Sequence, residues 1–350
     1  MSVKIKVFPA ANGDAILIRV KNRNLIIDGG KGQLCHNMLI NEIKLIEEDN
    51  QIIDLLVVTH MDDDHIAGII KLYNDKEIKT SIFNKVWFNS GSLISYKISG
   101  KEITNREIPL NPMSREMSIK QGLTLEKNLQ MSKAWQRELV CSEQVYNLDG
   151  GITITILSPD LDTLIELNDK WEAEKIKIEE KIKRNRKMSS TNDYNRKVDE
   201  LFDEDFVEDN ALFNKSSIAF LLECEGYRVL MLGDSHPSIV VESLKKLGFS
   251  ERNKLKVNVM KVSHHGSKRN TSNELLRMIE CTRFIISTDG SKHGLPNKRS
   301  LARIVKVMKE PVTFYFNYDA MKSIFSPEDI EENNITCVYL SDRDNYTVRD

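Results

Sequence analysis

Twelve residues, Val57–Gly68 (VVTHMDDDHIAG), constrain this chain more than any other stretch. The run Ile52–Val58, apolar except for Asp54, reads as a short buried strand. It breaks into a tight polar cluster in which His60, Asp62, Asp64 and His65 crowd together. A packed core does not choose such a cluster, because unpaired buried charge costs several kcal/mol. A solvated acidic turn accounts for three successive aspartates but not for the histidines that bracket them. Two imidazoles interleaved with carboxylates are the ligand chemistry of a divalent cation.

As a pattern these residues read H-x-D-x-D-H, which resembles the metal-binding loop of the metallo-β-lactamase fold superfamily. Most of that superfamily carries H-x-H-x-D-H, so Asp62 stands where the second histidine usually is. In that variant the chain is similar to the hydrolase domain of the competence protein ComEC. NGDAILI (Asn12–Ile18) and LIIDGG (Leu25–Gly30) resemble the opening strands of that domain. The resemblance implies that Asp28 orients a ligand histidine; on local sequence alone it reads equally as a turn former before Gly29-Gly30. Gly233-Asp234 ends a strand as the family's bridging aspartate does, and Asp234 takes that role by position. Ser263–Ser267 (SHHGS) resembles the family's H-H-G-S signature. One of its histidines is expected to complete a metal site; His264 is favoured over His265, although spacing does not separate them.

The resemblance implies an α/β fold, a metallo-β-lactamase-like αββα sandwich with a helical insertion, and two divalent metal ions. His60 and Asp62 are expected on one metal, Asp64, His65 and His264 or His265 on the other, with Asp234 between. Asn214–Ser217 lies where many members supply a further histidine, so manganese or magnesium is favoured, with zinc also admitted. Asp64, Asp234 and His293 are the expected catalytic residues, His293 as a contact to a phosphoryl oxygen. His236 reads as a helix cap or surface residue.

The chain has 350 residues, enough for a sizeable core. The catalytic domain is expected over 1–310, interrupted by helical insertions around 100–145 and 161–210, with a β-rich extension over 311–350. Short strands are read at Val3–Val7, Ile16–Val20, Leu25–Ile27, Lys85–Asn89, Ile152–Leu157, Ile218–Cys224, Arg228–Leu232 and Leu255–Val262, and helices at Gln33–Glu48, Ile66–Tyr73, Arg115–Val140, Leu161–Arg186 and Ser300–Met308. The helix KWEAEKIKIEEKIKRNRK reads as a solvated or partner-binding face, and Met188–Asn210 is polar and acidic. Five scattered cysteines without a C-x-x-C pair indicate neither a disulfide framework nor a zinc ribbon. No apolar run approaches the roughly 18 residues of a membrane span, so a cytoplasmic protein without a membrane partner is expected.

Net charge is −2, but Glu251–Glu310 carries a local excess of positive charge of the kind that holds phosphates. Ser267, Lys268 and Arg269 are the expected substrate contacts, within a basic surface that also takes in Lys261, Lys298 and Arg299. These features favour a metal-dependent phosphodiesterase, foremost a nuclease acting on DNA or RNA. Two other readings are a hydrolase of a small ester, lactone or thioester, and a partner-gated regulatory subunit, for instance of a defence system. The helical insertion is the feature that would take a protein partner.

Overall fold

Strands whose residues are apolar on both faces need cover on both sides. Leu25–Ile27, Leu55–Val57 and Val229–Met231 are of this kind, and the computed structural model, which describes residues 3–100, 116–169, 192–342 and 346–348, supplies that cover by stacking two sheets between helices. The first sheet contains β1 (Val3–Val7), β2 (Ile16–Val20), β3 (Arg23–Ile27), β4 (Leu55–Val57) and β5 (Val86–Trp87). The second contains β6 (Val145–Leu148), β7 (Ile152–Ser158), β8 (Ala219–Cys224), β9 (Tyr227–Met231), β11 (Val259–Lys261), β13 (Arg283–Ile286), β14 (Val312–Phe316) and β15 (Ile335–Tyr339). Between them in sequence, β10 (Leu255–Lys256) and β12 (Ile279–Glu280) form a parallel ribbon. The last strand, β16 (Thr347–Val348), returns to pair with β1. The segment beyond 310 thus places β14 and β15 at an edge of the second sheet and β16 at an edge of the first.

Period two sorts the strand residues into three cores. Leu25, Ile27, Leu55, Val57, Phe220, Leu222, Val229, Met231, Val259 and Ile285 fill the space between the sheets. Their neighbours Ile26, Leu56 and Val86 face outward to α1 (Gln33–Glu48), α2 (Asp63–Asn74), α3 (Gly91–Ser99), α4 (Glu116–Gln130) and α5 (described over 161–169). On the far side, Leu221, Leu230, Met260, Phe284 and Phe314 pack on α6 (Val198–Phe202), α8 (Pro237–Lys246), α9 (Asn273–Arg277) and α10 (Lys298–Met308). The short α7 (Leu212–Lys215) adds Leu212 and Phe213 to the first helical layer, and α11 (Pro327–Glu332) precedes β15. The expected αββα sandwich is therefore present. Among the described residues no helix is long and apolar enough to cross a membrane.

Several element bounds differ from the sequence reading, each for a physical reason. The helix expected from Ile66 begins at Asp63, because Asp63 and Asp64 suit the positive end of a helix. The helix expected over Arg115–Val140 ends at Gln130; the chain then runs extended beside β5, where Val86 N–H donates to Ala134 O at 2.9 Å. Leu255–Val262 is two strands, split at Asn258, whose side chain accepts from Arg228 N–H at 2.8 Å. The helical reading of 170–186, and residues 101–115 of the first insertion, lie outside the described residues.

The first turns of α2 lie backbone to backbone on the Asp28-Gly29-Gly30 turn. Gly29 N–H donates to His65 O at 2.9 Å and Gly68 N–H to Gly30 O at 3.0 Å. A Cβ on Gly68 would sit 1.9 Å from Gly29 O, which only displacement of the helix relieves. Gly68→Ala is accordingly expected to cost about 1–3 kcal/mol in chemical denaturation and to weaken metal binding with it. Wild-type stability would show that the helix is free to shift.

Candidate metal centre

Parallel strands in α/β sheets present their carboxyl ends to ligands, and here both sheets do so at one place. Asp28 follows β3, Thr59 and His60 follow β4, Asp234 follows β9, His264 and His265 follow β11, and Ser287 follows β13. The β3–β4 pair and the β9–β11–β13 set are each parallel, so all these residues arrive at the same edge. Three consecutive left-handed residues, His264 (φ 47°), His265 (φ 53°) and Gly266 (φ 81°), turn both imidazoles inward. That conformation is costly for non-glycine residues; His264 N–H bonding Gly233 O at 2.9 Å and Ser267 N–H bonding His264 O at 2.8 Å hold it.

Hydrogen bonding fixes which nitrogen of each ring is free. The buried Asp28 carboxylate accepts from Thr59 N–H at 2.7 Å, from the Thr59 hydroxyl at 2.7 Å and from His65 Nδ1–H at 2.8 Å. With its proton committed to Asp28, Thr59 Oγ1 accepts from His60 Nδ1–H at 3.1 Å. His265 Nδ1–H donates to Ser287 O at 2.8 Å, which has no proton to give. The Asn270 amide donates to Asp234 O at 3.2 Å, so its Oδ1 accepts from His264 Nδ1–H at 3.0 Å. In its neutral form each of the four rings therefore keeps its lone pair on Nε2.

Those four lone pairs converge on Asp234. From its carboxylate, His65 Nε2 lies at 3.5 Å, His265 at 3.6 Å, His264 at 3.7 Å and His60 at 3.9 Å. Asp64 Oδ2 lies 3.7 Å from His265 Nε2, and Asp62 Oδ2, with its side chain about one third exposed, 3.7 Å from His60 Nε2. Nε2 of His60, His65 and His265, and Oδ1 of Asp14 and Asp234, are buried without a hydrogen-bond partner. Buried polar atoms are rarely left so. Asp64, His65 and His265 form one group of donors within 4.8 Å of one another, and His60, His65 and Asp234 another. The residues present fit a divalent metal.

Charges respond to this crowding. Burial opposes ionisation of Asp234, but His265 and His65 outweigh it and hold the carboxyl well below the usual range. Burial likewise opposes the His264 imidazolium; Asp234 and Asp209 override it, raising that group to about 9. With burial again opposing, Asp234 and Asp28 raise His65 well above the usual histidine value. Protons thus compete for the Nε2 positions that a metal would take.

No family model matches the chain, and no curated protein does. Among solved structures it is similar to the metallo-beta-lactamase fold protein YhfI from Bacillus subtilis, at 11% identity and TM-score 0.43, with 100% of both chains covered. It is also similar to Igni18, a metallo hydrolase from the hyperthermophilic archaeon Ignicoccus hospitalis, at 11% identity and TM-score 0.42, covering 99% of this chain and 97% of that one. A third is Zn(2+)-bound PqqB from Methylobacterium extorquens, at 11% identity and TM-score 0.45, covering 99% of this chain and 100% of that one. What this site can do follows from its own side chains.

The structure brings together His60, Asp64, His65, Asp234, His264 and His265, sets Asp62 at the margin, and puts Asp28 behind His65. Of the adjacent pair it is His265, not the favoured His264, whose donor groups with Asp64 and His65. His293 lies exposed in the loop after β13 and supplies no donor to these groups. His236 is buried rather than on the surface; it is the N-cap residue of α8 but its side chain makes no cap bond, and Nε2 lies 3.7 Å from Asp209 Oδ2.

The basic surface is also corrected. Lys261 is fully buried inside the centre, and Lys298 is buried against Asp329 at 2.6 Å. Arg299 pairs with Glu204 at 2.5 Å, and Arg269 donates to Glu208 O at 3.1 Å. Ser267 is buried, whereas Lys268 and Arg269 remain exposed. Lysines and arginines in a packed domain find partners when they are drawn in, and a linear count of charge does not see this. Sequence reasoning put Lys261 on the surface and missed Asp14, Thr59, Asn270 and Asp209, the last of which holds Asn214 at 2.7 Å beside His264.

Proposed function

We propose that this chain is a metal-dependent hydrolase of phosphodiesters, a nuclease foremost, working with two divalent ions. The observation that carries the metal reading is the convergence of four imidazole Nε2 atoms, each fixed by its Nδ1 bond, on the Asp234 carboxylate. His60, Asp62 and His264 would hold one ion and Asp64, His65 and His265 the other, with Asp234 shared. His264 then stands in for the histidine absent at Asn214. Divalent ions in such a site lower the pKa of bound water toward neutrality and stabilise the charge of an in-line displacement. The chain's own residues orient the ligands: Asp28 and Thr59 fix His60 and His65, Ser287 fixes His265, and Asn270 fixes His264. The oxygen-rich set of Asp62, Asp64 and Asp234 favours manganese or magnesium, with zinc as the competitor. The motif resemblance to the ComEC-type domain supports the phosphodiester as substrate.

A small ester, lactone or thioester is the second reading, and one observation favours it. Carboxylates already neutralise Lys298 and Arg299, which removes two cations from the grip on a polymer backbone. Cleavage of DNA, RNA, a small phosphodiester and a small ester, each with added Mn²⁺, Mg²⁺ or Zn²⁺, separates the two. Nuclease activity is expected to require metal, to fall steeply with salt and to be lost in Asp64→Ala. Ester cleavage indifferent to salt, with intact nucleic acid, would replace the proposal by the second reading.

A further inference from the structure

Lys261 is a buried group that the hydrolase reading leaves without a role. It ends β11 on the side facing the other sheet, between Met260 and Val262, and it has no solvent exposure. Its ammonium donates to Gly233 O at 3.0 Å, contacts Asp14 Oδ2, and lies 3.9 Å from Asp234 Oδ1. Asp14 is itself buried, and its Oδ1 has no hydrogen-bond partner. Asp14, Asp234 and His265 form a third fully buried group of donors within 4.8 Å of one another. By composition this group is a cation site, and a charged amine already stands in it. His265 cannot offer Nδ1 there, because that nitrogen donates to Ser287 O.

We propose that Lys261 is a built-in cation which occupies the interior flank of the metal centre, so that Asp14 serves the ammonium and not a metal. Asp14 and Asp234 are both buried, and the ammonium lies between them; it is the cation that stays when metal is removed. A buried carboxylate pair next to Asp234 would otherwise repel itself in the metal-free protein. Lys261 is in this sense a positioning residue, acting on the centre through Asp14 and Asp234.

The inference rests on the metal reading, and metal stoichiometry tests both apart. The chain is stripped with chelator, titrated with Mn²⁺ and with Zn²⁺, and the bound equivalents are counted by elemental analysis and native mass spectrometry. Wild type is expected to bind two. Lys261→Met, which is one atom shorter and removes the charge, is expected to bind one more and to gain a larger metal-dependent rise in melting temperature than wild type. Asp14→Asn/Lys261→Met, which removes both charges, is expected to return to the wild-type count with affinity within about threefold. The double variant answers even where the single one does not fold. Loss of an equivalent in the double variant would make Asp14 a metal ligand and overturn the inference, as would an unchanged count and unchanged melting response in Lys261→Met. A wild type that binds no metal would instead overturn the metal reading itself.

Discussion

Asp234→Ala is expected to lower affinity for the divalent ions by more than the 10- to 100-fold typical of losing a residue that only supports a ligand. Four imidazoles aim Nε2 at this one carboxylate from β4, α2 and the turn after β11, at 3.5 to 3.9 Å. Alanine leaves them facing each other with no anion between. The Lys261 ammonium, 3.9 Å from the same carboxylate, would then keep Asp14 as its carboxylate partner beside Gly233 O. Asp234→Asn keeps the shape and Ser217 Oγ can still accept from residue 234 N–H, at 3.0 Å in the wild type, so it separates loss of charge from loss of packing. Competition against a chromophoric chelator measures the affinity, and hydrolysis of any substrate found is expected to vanish in parallel. Affinity within threefold of wild type in both variants would move the metal away from Asp234.

The part of this centre that the sequence makes legible is the part that is local. His60, Asp64 and His65 sit in one short motif, and His264 and His265 are neighbours, so residue type and spacing alone mark them. Asp28 is different: beside Gly29-Gly30 it looks like a turn former, and only the family resemblance singles it out. Asp14 and Lys261 lie far apart in the chain and meet because β2 and β11 belong to different sheets. One signal for Lys261 was available. It is the only charge in Val257–Val262, and a charge in a strand covered on both faces must find a partner. The αββα layering came from the family resemblance, and apolar residues at successive strand positions, which demand cover on both sides, agree with it. Strand ends and pairings such as β16 on β1 depend on long-range partners and were not legible. The surplus of lysine and arginine after Glu251 misled, because Asp329 and Glu204, which neutralise Lys298 and Arg299, come from elsewhere in the chain.

Asp28→Asn is expected to reduce metal affinity by about 10- to 100-fold while leaving the fold in place. The backbone tolerates it, because residue 28 is left-handed (φ 56°) and asparagine adopts that region more readily than most residues. The hydrogen-bonding pattern does not. Asp28 accepts three protons, from Thr59 N–H, the Thr59 hydroxyl and His65 Nδ1–H. An amide has one oxygen and one NH2, so one side must now donate. If the oxygen keeps Thr59 N–H, the NH2 faces Thr59 Oγ1 and His65 Nδ1. His65 Nδ1 must then accept, its proton moves to Nε2, and the lone pair that faces Asp234 is lost. If the amide is turned the other way, its NH2 opposes Thr59 N–H and the turn that leads into the metal loop is disturbed. Nitrogen-15 NMR of the metal-free protein, at a pH high enough to hold His65 neutral, distinguishes these outcomes by reporting which nitrogen of His65 carries the proton. A protonated Nε2 together with weakened binding would show that Asp28 acts through the tautomer of His65. Weakened binding with Nδ1 still protonated would assign its effect to the Thr59 turn, and unchanged affinity would remove Asp28 from the centre's function.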